Sequence, residues 1–134
     1  MSSKDPFGDL PEFEDWLPVA TAKFLELRGI TRQPLSDNSV QMQKQLREVE
    51  AWQGTVSTML AEATSYLAIE EERSSQYYHQ DEGPGDRKRR VKSETEKERR
   101  ILGLIQGQVD AIKNRLILGE NLNRSNSERN RNNT

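Results

Sequence analysis

The apolar residues Leu102, Ile105, Val109, Ile112 and Leu116 follow one another at steps of three, four, three and four. That spacing puts them along one stripe of an α-helix and predicts a helix from Arg100 to Leu122. Such a stripe needs a partner, and the only other segment long enough runs from Ser39 to about Tyr78. There Met42, Val49, Val56 and Ala63 recur every seven residues, Trp52, Met59 and Tyr66 stand three residues after members of that series, and Leu46, Leu60 and Leu67 widen the stripe. A stripe broader than a two-stranded seam favours a bundle over a simple coiled coil. The reading is an all-α protein built on two long antiparallel helices, a helical hairpin or bundle spanning residues 38–122.

Residues 1–37 read as an N-terminal arm with a short helix. Pro6, Pro11, Pro18 and Pro34 break it into pieces, and Pro18 suits the first turn of a helix, where its missing N–H costs little. From there Leu17, Ala20, Phe24 and Leu27 share a face, and Gly29 stands where a C-cap glycine would. Phe7, Phe13 and Trp16 supply aromatic area, either to pack on the chain's own long helices or to dock on a partner. Asn38 followed by Gln41 has capping-box spacing and sets the start of the first long helix. Gly54 within that helix marks a possible close approach of another helix, as do Gly103 and Gly107 in the second. Gly119 is expected to end or loosen the second helix, and residues 123–134, rich in Asn, Arg and Ser, read as a disordered polar tail.

Composition sharpens this picture. Only 32% of the 134 residues are apolar while 31% are charged, and mean hydropathy is -0.95. A single core would be thin, so burial against further copies of the chain is expected. There is no cysteine and one histidine, which excludes disulfides and zinc–thiolate sites and leaves no cofactor or metal site to propose. Neither a signal-peptide core nor an apolar run of membrane-spanning length occurs, so a soluble, cytoplasmic protein without a membrane partner is expected. Charge is polarised along the chain. Residues 1–37 carry 4 basic and 7 acidic groups, 38–82 carry 3 and 8, and 83–134 carry 13 and 7. This layout fits an acidic helix packed on a basic one, or a polyanion-binding surface in the C-terminal half.

The densest basic run follows the Gly83-Pro84-Gly85 turn, where Arg87, Lys88, Arg89, Arg90 and Lys92 lie just beyond Tyr77, Tyr78 and His79. Rings beside cations are what sequence-tolerant single-strand binders use to hold bases and phosphates. A run of this kind is also what a solvated helix face looks like. No catalytic constellation is visible: His79 has no orienting partner in the sequence, Glu70, Glu71 and Glu72 point in successive directions around a helix, and the GPGD turn is not a phosphate loop. An enzyme is not expected.

The string VDAIKNR at 109–115 resembles the C-terminal helix of the UvsY family of phage recombination mediators, which carries a similar DAIK-x-R string followed by apolar positions. Tyr77, Tyr78, Gly85 and Asp86 are similar to the Tyr-Tyr and Gly/Asp turn that follow that family's long helix, although Tyr66 is an alternative match. The resemblance implies an all-helical, ring-like homo-oligomer that binds single-stranded DNA, loosens the single-strand-binding protein and helps the recombinase assemble in recombination, repair and replication. If the chain is phage-encoded, its place is the host cytoplasm. On that reading Lys113 and Arg115 match the family's string, the basic run and Tyr77 and Tyr78 are candidate DNA contacts by charge and stacking, and Leu102, Ile105, Val109, Ile112 and Leu116 make bundle and subunit interfaces. The alternative is a helical phage virion or scaffold protein that does not bind DNA.

Overall fold

The computed structural model describes residues 10–77 and 82–132, with side chains as far as residue 125. Phe7, Tyr78 and His79 therefore lie outside the described residues. Within them the chain forms α1 (Phe13–Arg32), α2 (Ser39–Gln76), α3 (Pro84–Glu94) and α4 (Glu96–Asn132) and no strand. Leu46 near the start of α2 lies against Gly119 late in α4, and Glu71 near the end of α2 meets Arg99 early in α4. The two long helices are antiparallel.

Seven-residue spacing sorts the facing side chains into three rows on each long helix. The central rows are Met42, Val49, Val56 and Ala63 on α2, all buried, and Glu98, Ile105, Ile112 and Gly119 on α4, also buried. A second row faces α1: Trp52, Met59 and Tyr66 on α2, with Ile101, Gln108 and Arg115 on α4. The third consists of Leu46, Gln53, Leu60 and Leu67 on α2 with Leu102, Val109 and Leu116 on α4; its aliphatic members are all half-buried. Of the stripe predicted for α4, Ile105 and Ile112 are in the core, while Leu102, Val109 and Leu116 flank it. The core axis is turned toward Ile101, which is 6% exposed, because α1 covers that side.

The glycines divide by environment. A side chain at Gly119 would collide with Leu46, whose Cγ would lie 3.0 Å from the added carbon. Gly119 therefore lets the helices close over a leucine, and α4 passes straight through it instead of ending there. Gly54, Gly103 and Gly107 have nothing within 4 Å of an added Cβ, so the chain itself supplies no close helix approach at these sites. Beyond Gly119 the helix continues to Asn132, through the polar segment that carries no apolar stripe.

The arm packs on its own chain. Phe13, Trp16 and Tyr66 form a ring cluster with centroids 5.0–5.8 Å apart, and the Tyr66 hydroxyl donates to the Pro11 carbonyl. Trp16, Ala20, Phe24 and Leu27 are buried, at the helical spacing that lays one face of α1 along α2 and α4. Two expectations for this helix are corrected. It begins at Phe13, which leaves Pro18 inside it rather than in its first turn, and it runs past Gly29 to Arg32. Burial of the ring cluster offsets the hydrogen bond that Pro18 cannot make. At the start of α2, Asn38 caps Val40 and Gln41 at 3.0 and 3.2 Å. The return half of the box is relayed: Asn38 N–H donates to Ser36 Oγ, whose hydroxyl donates to Gln41 Oε1.

Candidate nucleic-acid interface

α2 stops at Gln76, with Tyr77 extended, and α3 starts at Pro84. Pro84 and Gly85 thus belong to the first turn of α3 rather than to a free turn, and the basic run lies on a helix. Proline suits that place because the first helical N–H groups have no partner to lose. None of the residues of α3 is buried, so polar contacts hold it.

Arg90 makes most of those contacts. Its Nε donates to both oxygens of Glu82 at 2.9 and 3.1 Å, Nη1 to the Ser74 carbonyl at 2.9 Å, and Nη2 to the Tyr77 carbonyl at 2.9 Å. It thereby closes the exposed end of α2, whose last carbonyls have no helical partner. Glu94 lies at 3.3 Å from Nη1 and also accepts from the Ser74 hydroxyl. The hydrogen bond that Arg90 donates to Glu82 leads the causes that raise its already high pKa. Arg90 is a structural clamp with 18% of its side chain exposed, not a free cation.

The other basic residues divide in the same way. Arg87 donates to the Ser75 carbonyl at 2.7 Å, and Arg89, 80% exposed, pairs with Asp86 at 2.8 Å. Lys88 and Lys92 are exposed and pair with no described residue. Arg87, Lys88 and Lys92 share one side of α3 at helical spacing and face Arg99 of α4 across an open cleft of about 690 Å³, with Glu71, Ser75, Pro84 and Val91 completing its walls. Arg99, which hydrophobic spacing and the basic run at 87–92 do not single out, is the addition to the candidate set. It donates to Thr95 Oγ1 and Glu71, both at 2.9 Å.

Thr95 explains why this cleft exists. It is 0% exposed, and its hydroxyl donates to the Val91 carbonyl at 2.7 Å. Its backbone leaves helical geometry, at φ -105° and ψ 18°, so α3 and α4 are separate helices. The bend turns the basic side of α3 toward the end of α2. Tyr77, 65% exposed, stands at that end.

Lys113 and Arg115 are not part of this cluster. Lys113 is exposed but 14 residues along α4 from Arg99, about 21 Å at 1.5 Å per residue. Arg115 turns inward: Nη1 donates to the Thr31 carbonyl at the end of α1 at 3.2 Å, while its Nε and Nη2 are buried without a partner. Burial lowers its pKa. Sequence spacing could not show this, because a long cationic side chain can point to solvent or fold back to a carbonyl terminus.

No family model, curated protein or solved structure matches the chain. Among the described residues no helix is long and apolar enough to cross a membrane.

Proposed function

We propose that this protein is a non-enzymatic single-stranded-DNA-binding recombination mediator that acts as a homo-oligomer and helps load a recombinase onto the strand. The observation that carries the reading is the cleft between α2, α3 and α4, where Arg87, Lys88, Lys92 and Arg99 converge around one carboxylate, Glu71. Converging cations beside an exposed ring, Tyr77, suit a flexible strand whose phosphates track the groove and whose bases stack at its edge. The VDAIKNR string at 109–115 supplies the finer part, the recombinase and the single-strand-binding protein as partners. Arg90 and Arg115 are outside the proposed contact set because their side chains are drawn in against the ends of α2 and α1, with Arg90 only 18% exposed and Arg115 Nε and Nη2 buried.

Lys88 and Lys92 give the cleanest test, since neither holds the fold. Lys88→Glu with Lys92→Glu should weaken binding of a labelled single-stranded oligonucleotide by roughly tenfold or more at low salt, with helical circular dichroism unchanged. Equal affinity would remove the cleft from the mechanism. A second reading, a helical assembly protein without DNA binding, is favoured by the half-buried leucine rows on the face away from α1. It predicts no affinity in the same assay.

A further inference from the structure

Leu46, Leu60 and Leu67 on α2 and Leu102, Val109 and Leu116 on α4 repeat every seven residues, or fourteen where Gln53 intervenes, and all six remain half-exposed. Each row lies one residue beyond the α1-facing row or four beyond the central one: Leu67 follows Tyr66, and Leu102 follows Ile101. Successive residues point about 100° apart around a helix, so these rows occupy the side of the α2–α4 pair that α1 leaves uncovered. Between Leu60, Thr64, Leu67, Arg99, Leu102, Gly103 and Gln106 they enclose an open groove of about 420 Å³, which shares Arg99 with the basic cleft at its end. Gly103, on its rim, has open space where a side chain would begin. α1 covers one side of the long pair, and on the other side α3 covers only the end of the rows, where Arg90 and Glu94 meet the buried Ser74; the stretch from Leu46 to Leu67 is left without a partner helix.

We infer that this face is a two-fold interface between two copies of the chain, in which each α2–α4 pair covers the leucine rows of the other. The face is suited to its own kind. α2 carries 6 acidic and 3 basic residues and α4, as far as residue 125, carries 4 acidic and 6 basic, so a two-fold that lays α2 of one copy over α4 of the other brings helices of opposite net charge together around an apolar strip. The rows from Leu46 to Leu67 extend for about 32 Å. The chain's own residues 1–9, MSSKDPFGD, suit them poorly: they contain two large apolar side chains, Met1 and Phe7, against six aliphatic ones in the rows, and lead into Leu10 and Pro11, on the side occupied by α1.

The inference specifies the self-association included in the proposed function; the groove shares Arg99 with the proposed strand-binding cleft, but its test needs no nucleic acid. A protein that pairs without binding DNA sinks the mediator and leaves the interface standing. The test is the mass of the full chain by light scattering over a micromolar concentration series. The wild-type protein should contain an even number of chains, and Gly103→Glu should reduce it to a single chain of 15.4 kDa with helical circular dichroism unchanged, because residue 103 touches nothing within the monomer. Leu25→Arg, on the exposed side of α1, should keep the wild-type mass. A wild-type protein with one chain or an odd number of chains overturns the inference, whether residues 1–9 or a different partner then covers the groove. An assembly indifferent to Gly103→Glu does so too.

Discussion

Replacing Tyr66 with phenylalanine tests how α1 is held, because it removes one oxygen and leaves the ring in place. The hydroxyl donates to Pro11, and the ring packs on Phe13 and Trp16 with centroids 5.4 and 5.0 Å away. Burial, followed by the negative charges of Glu62, Glu12 and Asp15, pushes the phenol from 10.0 up to about 12. The sign follows from which state holds the proton. Below pH 10 the phenol is neutral in both folded and unfolded chains, and the contribution is complete. Between pH 10 and about 12 the unfolded chain ionises while the folded one does not, so stability falls by about 1.4 kcal/mol per pH unit, or about 2–3 kcal/mol in all. Near neutral pH, Tyr66→Phe should cost only the hydrogen bond, about 0.5–1.5 kcal/mol. The variant lacks the alkaline loss, so its stability should overtake that of the wild type as the pH approaches 12. Urea unfolding followed by helical circular dichroism at stepped pH measures both curves, and tyrosinate absorbance should show a late step present only in the wild type. Parallel curves, or a Tyr66 that ionises near pH 10.0, would refute the docking geometry.

The glycines and Arg115 give further checks. Gly54→Ala and Gly107→Ala should each stabilise the protein by about 0.5–1 kcal/mol, since both sites are helical and open. Gly119→Ala should instead destabilise it by about 1–2 kcal/mol, because the collision with Leu46 outweighs the gain in helix propensity; chemical denaturation distinguishes the signs, and a stabilised Gly119→Ala would mean that the late part of α4 does not close on α2. Arg115→Met should be as stable as the wild type or more so, since it removes buried Nε and Nη2 groups that have no partners. The same variant should bind single-stranded DNA with wild-type affinity; a large loss would put the guanidinium at the strand rather than at the end of α1.

Where hydrophobic spacing governs, the sequence was readable. The series Met42, Val49, Val56, Ala63 and its companion Trp52, Met59, Tyr66 fix the faces of α2, because a buried face tolerates no register shift. Asn38 marks the start of α2 for a local reason, a side-chain oxygen within reach of two N–H groups. The rest depended on long-range neighbours. Pro18 signals a helix start when only local rules are applied, but the ring cluster at Phe13, Trp16 and Tyr66 begins the helix earlier. Gly119 looks like a terminator until Leu46, 73 positions away in the chain, is seen lying over it. The basic run is the plainest case. Composition shows that Arg87, Lys88, Arg89, Arg90 and Lys92 are positive, but not that Arg90 clamps the end of α2, that Arg89 pairs with Asp86, or that Arg99 joins Lys88 and Lys92 across the cleft. A cation's role is set by the carbonyl or carboxylate the fold brings beside it.

The most direct test of the proposed activity is the fluorescence anisotropy of labelled single-stranded and duplex oligonucleotides across a salt series. If two to four of Arg87, Lys88, Lys92 and Arg99 meet phosphates, log affinity should fall against log salt with a slope of about -1.4 to -2.8 per protomer, and the single strand should bind more tightly than the duplex. Absence of binding at low salt, or binding without salt dependence, would contradict the account and leave a helical assembly protein.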